Sequence, residues 1–500
     1  MSEIRVTYSG LISFFIGIIS IVTNLAFFVI VTRTLSTNEF GTWGLVMSLI
    51  TYPIILESII SYWAIRESAR NISSAKTAIA SSSIFSVVGI GIYLIISFFV
   101  GNNSDVEKAG LFFGFMLIPL IFLNSTLSSI NLGWKPQAES YGVFSLGISK
   151  IVGVVIFVYY LEMSVLGVII AVCLSYIVSI AILFIFAKKK IKYKIDIKYL
   201  KNWIKLFWLP IYPGIYAIIL RLDVIVFAIF TGSVVGLAFW SAAVSITVMI
   251  SQAGNISTAV YSKLIQDENK GYLKNNITLL MYFIIPITAI SIVFAKPGLF
   301  LLNPIYQSAV WVVILLAIQL FLGTINRTFE KFLMGIEKVD TNISSTFKDY
   351  IKSKLFYLPT IRLIQMITYV SILVIGLMFM TLQTNQQNDL LLFWAGIWFL
   401  TEIPVTIYFY KLVKKEFGNI FEYKIIFKYL IIGIIIFGIT YLLSEKLLIY
   451  KTNIFEFLPG LALLVGFSLG MYVLITFFTD FRTKGLIKTV LHEIRSKKNL

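Results

Sequence analysis

Five ionisable side chains lie inside long apolar runs of this 500-residue chain: Glu57, Lys150, Arg221, Asp223 and Glu402. On insertion scales a charge at the centre of a membrane helix costs about 2.5–3.5 kcal/mol, so each needs a partner, a wet cavity or a task. Lys150 sits among Ser145, Gly147, Ser149 and Gly153, and Arg221 and Asp223 follow Pro210 and Pro213. Two cations of this kind suit a phosphate or pyrophosphate, which Arg grips bidentately and Lys meets as a point charge. Residues 221 and 223 are about 200° apart around a helix, so Arg221 and Asp223 do not share a face. Asp223 then needs another partner, and with Glu57 and Glu402 it is a candidate for coupling to a proton or cation. The plainer role for all five is a structural ion pair or a snorkelling end residue. Ser13, Gly17, Ser20 and Asn24 recur at helical spacing. They form one small, polar face that packs against neighbours or lines a cavity, which makes Asn24 a candidate substrate contact. Arg66, Arg70 and Arg327 fall at the ends of apolar runs, where they meet an anionic head group or serve only to fix topology.

The elements that must hold these residues are membrane helices. The chain is 58% hydrophobic and only 13% charged, with mean hydropathy +0.91. Soluble domains carry about 25% charged residues. One cysteine, Cys173, and one histidine, His492, leave almost no material for a disulfide, a zinc site or a histidine dyad. No cofactor is expected. The net charge of +17 is read as lysine-rich cytoplasmic loops facing anionic lipid, with no nucleic-acid partner.

Hydropathy places fourteen spans at 10–32, 41–63, 77–100, 109–131, 141–160, 163–187, 206–230, 234–256, 276–296, 308–328, 359–381, 389–410, 427–445 and 456–479. The first is read as a retained helix because no small-residue cleavage site follows it. With both termini cytoplasmic, 33 of the 41 Lys and Arg fall inside and 5 outside. That asymmetry sets the orientation under the positive-inside rule. The expected organisation is an N-terminal six-helix bundle (1–187), a basic amphipathic linker (188–205), a second six-helix bundle (206–426), an extra helix pair (427–479) and a basic tail (480–500). In the linker, Leu200, Trp203, Ile204 and Phe207 fall on one face and Lys198, Lys201 and Lys205 on another, as in a helix lying on the inner membrane surface. Phe40-Gly41 opening the second span parallels Val235-Gly236 opening the eighth, a faint internal repeat.

The segment VTRTLSTNEFGTWGLVMSL, with its Arg33-x-Leu35, polar turn and Phe40-Gly41, resembles the first hairpin of the polysaccharide-transporter branch of the multidrug/oligosaccharidyl-lipid/polysaccharide (MOP) flippase superfamily. Helix count and charge layout extend the resemblance over nearly the whole chain. It implies a multi-pass protein of the cell membrane that moves a polyprenyl- or dolichyl-linked oligosaccharide by alternating access, for surface polysaccharide or protein glycosylation. It also implies a groove for a lipid tail at the extra helix pair, and an Asp before an outer Gly turn, matched by Asp223, Thr231-Gly232 and Gly236. The expected partners are the lipid-linked oligosaccharide, membrane lipids and a coupling cation or the membrane potential.

Two alternatives follow from the same residues. A cation-coupled drug exporter of the same superfamily has twelve spans and more interior carboxylates. A membrane glycosyltransferase or polymerase needs a large outer loop, a metal site or an Asp-x-Asp, and the outer loops here are short and lack them. The chain is therefore expected not to be an enzyme.

Overall fold

The computed structural model describes residues 6–135, 137–192, 194–254, 271–337, 347–383, 386–481 and 484. Arg5, Lys263, Lys270, Lys338, Arg482 and the basic tail with His492 lie outside them, as does the side chain of Ser13. Among the described residues there is no strand, only an isolated bridge between Asp105 and Ser233.

The helices are α1 (Val6–Thr34), α2 (Thr37–Ala69), α3 (Ala75–Asn102), α4 (Lys108–Trp134), α5 (Gln137–Tyr160), α6 (Ser164–Ala187) and the short α7 (Ile197–Lys205). They continue with α8 (Tyr212–Thr231), α9 (Val235–Gln252), α10 (Gly271–Val293), α11 (Ala295–Leu302) and α12 (Pro304–Gly335). The last five are α13 (Phe347–Lys352), α14 (Lys354–Gln383), α15 (Gln387–Phe417), α16 (Tyr423–Leu447) and α17 (Ile454–Thr479). Thirteen of them are long and apolar enough to cross a membrane. The fourteenth crossing expected from hydropathy falls on α1, whose 29 residues reach about 43 Å at about 1.5 Å each but which is not one of these thirteen. The chain is a multi-pass, all-α membrane protein.

The described residues gather into two compact units, Met1–Ser245 with Pro359–Ile397, and Ile246–Leu358 with Trp398–Leu500. This division departs from the boundary expected at 188–205. The reason is local: α8 and the start of α9 pack on α2 and α3.

In the first unit α1 lies on α5, α5 on α6, and α2 on α3 and α4. The α1–α2 turn is set by a capping box. Ser36 Oγ accepts from Glu39 N (3.3 Å) and Glu39 Oε2 accepts from Ser36 N (2.7 Å), which satisfies two backbone donors at the start of α2. Asn38 Nδ2 donates to the Asp105 carbonyl (3.1 Å) and Asp105 N to the Gly232 carbonyl (2.9 Å), so three hairpin turns are tied together. At Gly41 any Cβ would overlap the Val234 carbonyl oxygen, so only glycine lets α2 approach the α8–α9 turn this closely. The two similar openings seen in the sequence thus meet in space.

The linker helix corrects one expectation. Trp203 of α7 is 1% exposed, its Nε1 donates to Glu67 Oε1 (3.0 Å), and it packs with Ile60, Ala64, Ala78, Leu127 and Leu183. Ile204 and Phe207 stay exposed. Trp203 of α7 therefore faces protein, while Ile204, and Phe207 just beyond the helix, face outward, so these residues do not form one lipid-facing stripe.

In the second unit α11 is an addition, since 297–307 read as a loop. Its Ala295, Leu299, Phe300, Leu301 and Leu302 are buried. The final pair α16–α17 docks on α10. Tyr472 OH donates to the Tyr282 carbonyl (3.2 Å), and Ser468 Oγ to Thr440 Oγ1 (3.1 Å). Such polar contacts take the place of a hydrophobic driving force between helices in lipid.

Candidate functional site

The structure brings Lys150 and Asn24 together. Gly147 of α5 sits against Thr23 of α1, one helical turn from Lys150, so α1 and α5 approach closely there. Lys150 Nζ then reaches Asn24 Oδ1 at 2.7 Å and lies 4.5 Å from the centroid of the Phe27 ring. Both partners are neutral, and among the described residues no carboxylate pairs with Lys150. A carbonyl dipole and a π-face hold the ammonium without cancelling its charge. Asn24 is exposed and Gly17 touches nothing, so this stretch of the α1 polar face borders open space rather than a packed helix.

Arg221 and Asp223 separate as the helical geometry requires. The start of α8 is broken by Pro213 in a tight 3₁₀ turn, Tyr212–Gly214. A second break follows at Arg221, whose N–H is shared by the Ala217 and Ile218 carbonyls. Arg221 points outward, exposed, while Asp223 is 3% exposed. The partner that Asp223 lacked in sequence is Tyr369 of α14, whose hydroxyl donates to Asp223 Oδ2 at 2.9 Å. Val224 N donates to Oδ1 at 2.7 Å. Trp394 Nε1 of α15 donates in turn to the Tyr369 hydroxyl at 2.6 Å. The Trp394 indole is stacked between Trp240 (centroids 3.8 Å, interplanar 3°) and Phe227 (4.8 Å, 24°), which fixes the direction of its N–H. The result is a chain of donors running indole to phenol to carboxylate across three helices. Tyr52 of α2 lies in the field of both Asp223 and Arg221, and its buried hydroxyl has no hydrogen-bond partner among the described residues.

Glu57 is buried among hydroxyls. Ser61 Oγ donates to its Oε1, Thr126 Oγ1 does so at 3.4 Å, and Ser125 Oγ lies 3.3 Å from Ser61 Oγ. Glu402 is 2% exposed and seated over Gly323 of α12. Asn326 Nδ2 donates to its Oε1 (2.6 Å) and Gln319 Nε2 to its Oε2 (3.3 Å), two turns apart on one helix face. Glu57 is thus met by hydroxyls, Asp223 by a phenol and a backbone N–H, and Glu402 by two carboxamides.

Arg66 stacks on Tyr62 (3.7 Å) in the last turns of α2, and Arg70 caps that helix, exposed. Arg327 belongs to the other unit, within α12, where Nη2 donates to Thr324 Oγ1 at 2.9 Å. Sequence reasoning missed Tyr369, Trp394 and Trp240, because an aromatic residue in an apolar span carries no mark of a polar task. It also passed over Arg362, which is 5% exposed and bonded to Gln365 Oε1 (2.8 Å). Gln319 and Asn326 were legible as polar residues seven apart in one span.

No protein-family model matches the chain, and no curated protein matches it in sequence. Solved structures do. The chain is similar to the lipid II flippase MurJ in an inward closed conformation, over 95% of this chain and 100% of that one, with TM-score 0.64 and 17% identity. It is similar to an inward-facing multidrug resistance MATE family transporter of the MOP superfamily over 79% of this chain and 95% of that one (TM-score 0.57, 16% identity). A MOP superfamily transporter from Pyrococcus furiosus, described as having a binding pocket of reverse polarity, covers 83% of this chain with 95% of its own (TM-score 0.51, 16% identity). At such identities the likeness is one of fold: this chain has the fold of the MOP transporter superfamily, to which its first hairpin also pointed.

Proposed function

We propose that this protein is a flippase that moves a polyprenyl- or dolichyl-(pyro)phosphate-linked oligosaccharide across the cell membrane by alternating access, with both termini cytoplasmic. The observation that carries this reading is Lys150, an ammonium inside a membrane helix held by Asn24 and Phe27, with no carboxylate among the described residues to neutralise it. A charge kept uncompensated in a span is costly unless a bound anion compensates it. A lipid-linked phosphate supplies that anion, while its sugar is shielded from lipid and its tail stays outside. Arg221, exposed one residue before α8 resumes, is the second anion contact, and Arg66, Arg70 and Arg327 are the entry contacts. Fold extent supports the same reading: the MurJ likeness covers 95% of the chain, the two MATE-type and MOP likenesses 79% and 83%. In the cycle, the spans before and after 188–205 act as the moving halves, and the ends of α2 and α9 at Gly41 and Val234 part. Asp223, Glu57 and Glu402 are the groups that would take up a coupling proton or cation.

The test is transbilayer movement of a fluorescent lipid-linked oligosaccharide in proteoliposomes. A hydrogen bond to a charged group contributes about 1.5–3 kcal/mol, so Lys150→Ala and Arg221→Ala each lower transport about tenfold to hundredfold. Movement unaffected by either change refutes the cationic site. Export of small organic cations without any lipid movement would replace the flippase with the drug exporter.

A further inference from the structure

At the end of the first unit that carries the α1–α2 turn, two carboxylates meet one hydroxyl. Ser164 Oγ, at the start of α6, stands 2.5 Å from Glu39 Oε1 and 3.1 Å from Glu107 Oε2. A hydroxyl has one proton to donate. Ser164 can satisfy one carboxylate, and the second contact is a hydrogen bond only when the other carboxyl brings its own proton. The neighbouring bonds say which one does. Glu39 also accepts from Ser36 N (2.7 Å) in the capping box at the head of α2, a place that favours the anion. Glu107, in the loop before α4, is held above the usual carboxylate range, mainly by burial and also by the charge of Glu39, against the hydrogen bonds from Ser164 and Val165 N that favour its anion.

Ser164 has φ +53° and Glu162 φ +50°, left-handed conformations that non-glycine residues adopt at a cost of about 1–3 kcal/mol each. In this conformation Ser164 Oγ stands between the two acids. Glu107 N in turn donates to Thr42 Oγ1 of α2 (3.3 Å). The other charged groups on the adjoining segments are Arg33 at the end of α1, Asp105 and Lys108 flanking Glu107, and Glu162. Asp105, Lys108 and Glu162 are exposed. None of the four is among the partners of Glu39 or Glu107.

We propose that Glu39, Ser164 and Glu107 form a proton-binding site, in which a single added proton on Glu107 is passed as a hydrogen-bond chain through Ser164 to the Glu39 carboxylate and ties α2, α4 and α6 together. With the proton bound, Glu107 donates to Ser164 and Ser164 to Glu39. Without it, two anions face one donor and the tie opens. The site stands apart from the substrate reading above and does not depend on it. Because the folded-state affinity of Glu107 for its proton is raised, the tie is fully present below the ordinary carboxylate range and is lost as pH rises through the folded value.

Hydrogen–deuterium exchange in nanodiscs between about pH 4 and pH 9, corrected with an unstructured peptide, reads the tie at the amides of 161–167. The wild type is expected to lose protection by up to about tenfold per pH unit between the ordinary carboxylate range and the folded value of Glu107, and to level off above it. Glu107→Gln, whose amide donates permanently to Ser164, stays protected with no pH dependence. Ser164→Ala is open at every pH. Wild-type protection independent of pH, or a Glu107→Gln variant that keeps the wild-type dependence, overturns the proposal.

Discussion

Tyr369→Phe removes one oxygen from the centre of the indole–phenol–carboxylate chain and almost no volume. Its hydroxyl donates to Asp223 Oδ2 at 2.9 Å and accepts from Trp394 Nε1 at 2.6 Å. Asp223 is 3% exposed and Trp394 0%, so water does not replace the missing group. An orphaned buried donor costs about 1–3 kcal/mol, and a buried carboxylate stripped of one of two donors costs more. Hydrogen-bond couplings measured in membrane helices are smaller, about 0.6 kcal/mol on average and about 1.7 at most, because the unfolded chain in the membrane also finds partners. Tyr369→Phe should therefore destabilise the protein by about 1–3 kcal/mol, read as an unfolding equilibrium in mixed micelles. In a cycle with Asp223→Ala the coupling should be about 1 kcal/mol. Tyr357→Phe, at a half-exposed tyrosine (43%), is the neutral control. A Tyr369→Phe variant as stable as the wild type, or a cycle with no coupling, refutes the chain of donors as an energetic unit.

Two further substitutions test how the first unit is held. Trp203→Ala empties a fully buried site in α7 and orphans Glu67 Oε1, so a loss of about 3–5 kcal/mol in the same unfolding assay is expected, far beyond a surface anchor. Stability within the error of the wild type would return α7 to the membrane surface. Gly41→Val forces a side chain onto the Val234 carbonyl, so cysteines placed at 44 and 241, where Gly44 now abuts Ser241, should cross-link more slowly than in the parent. An unchanged cross-linking rate would mean the close approach is not maintained.

Much of the fold was legible because the membrane simplifies the problem. A backbone in lipid must satisfy its own hydrogen bonds, so apolar length alone reports a helix. The expected spans match the observed helices closely, from 75–102 for the expected 77–100 to Ile454–Thr479 for 456–479. The misses fall where length carries no information. The short α11 is apolar but too brief to register as a span, and the start of α8 is segmented by Pro213 and by the break at Arg221. Which residues would need partners was equally legible, since a charge in an apolar run is conspicuous. Glu57, Lys150, Arg221, Asp223 and Glu402 were all visible on that ground.

The chain by itself determined where helices cross the membrane and which charges they bury, because both depend on local composition against a uniform solvent. Who meets those charges was decided only by the tertiary structure. Tyr369 reaches Asp223 across 146 residues, Asn24 reaches Lys150 across 126, and Ser164 reaches Glu39 across 125. Such partners are selected by the packing of helices, through contacts such as Gly41 on Val234 and Gly147 on Thr23, and no period or spacing in the sequence encodes them.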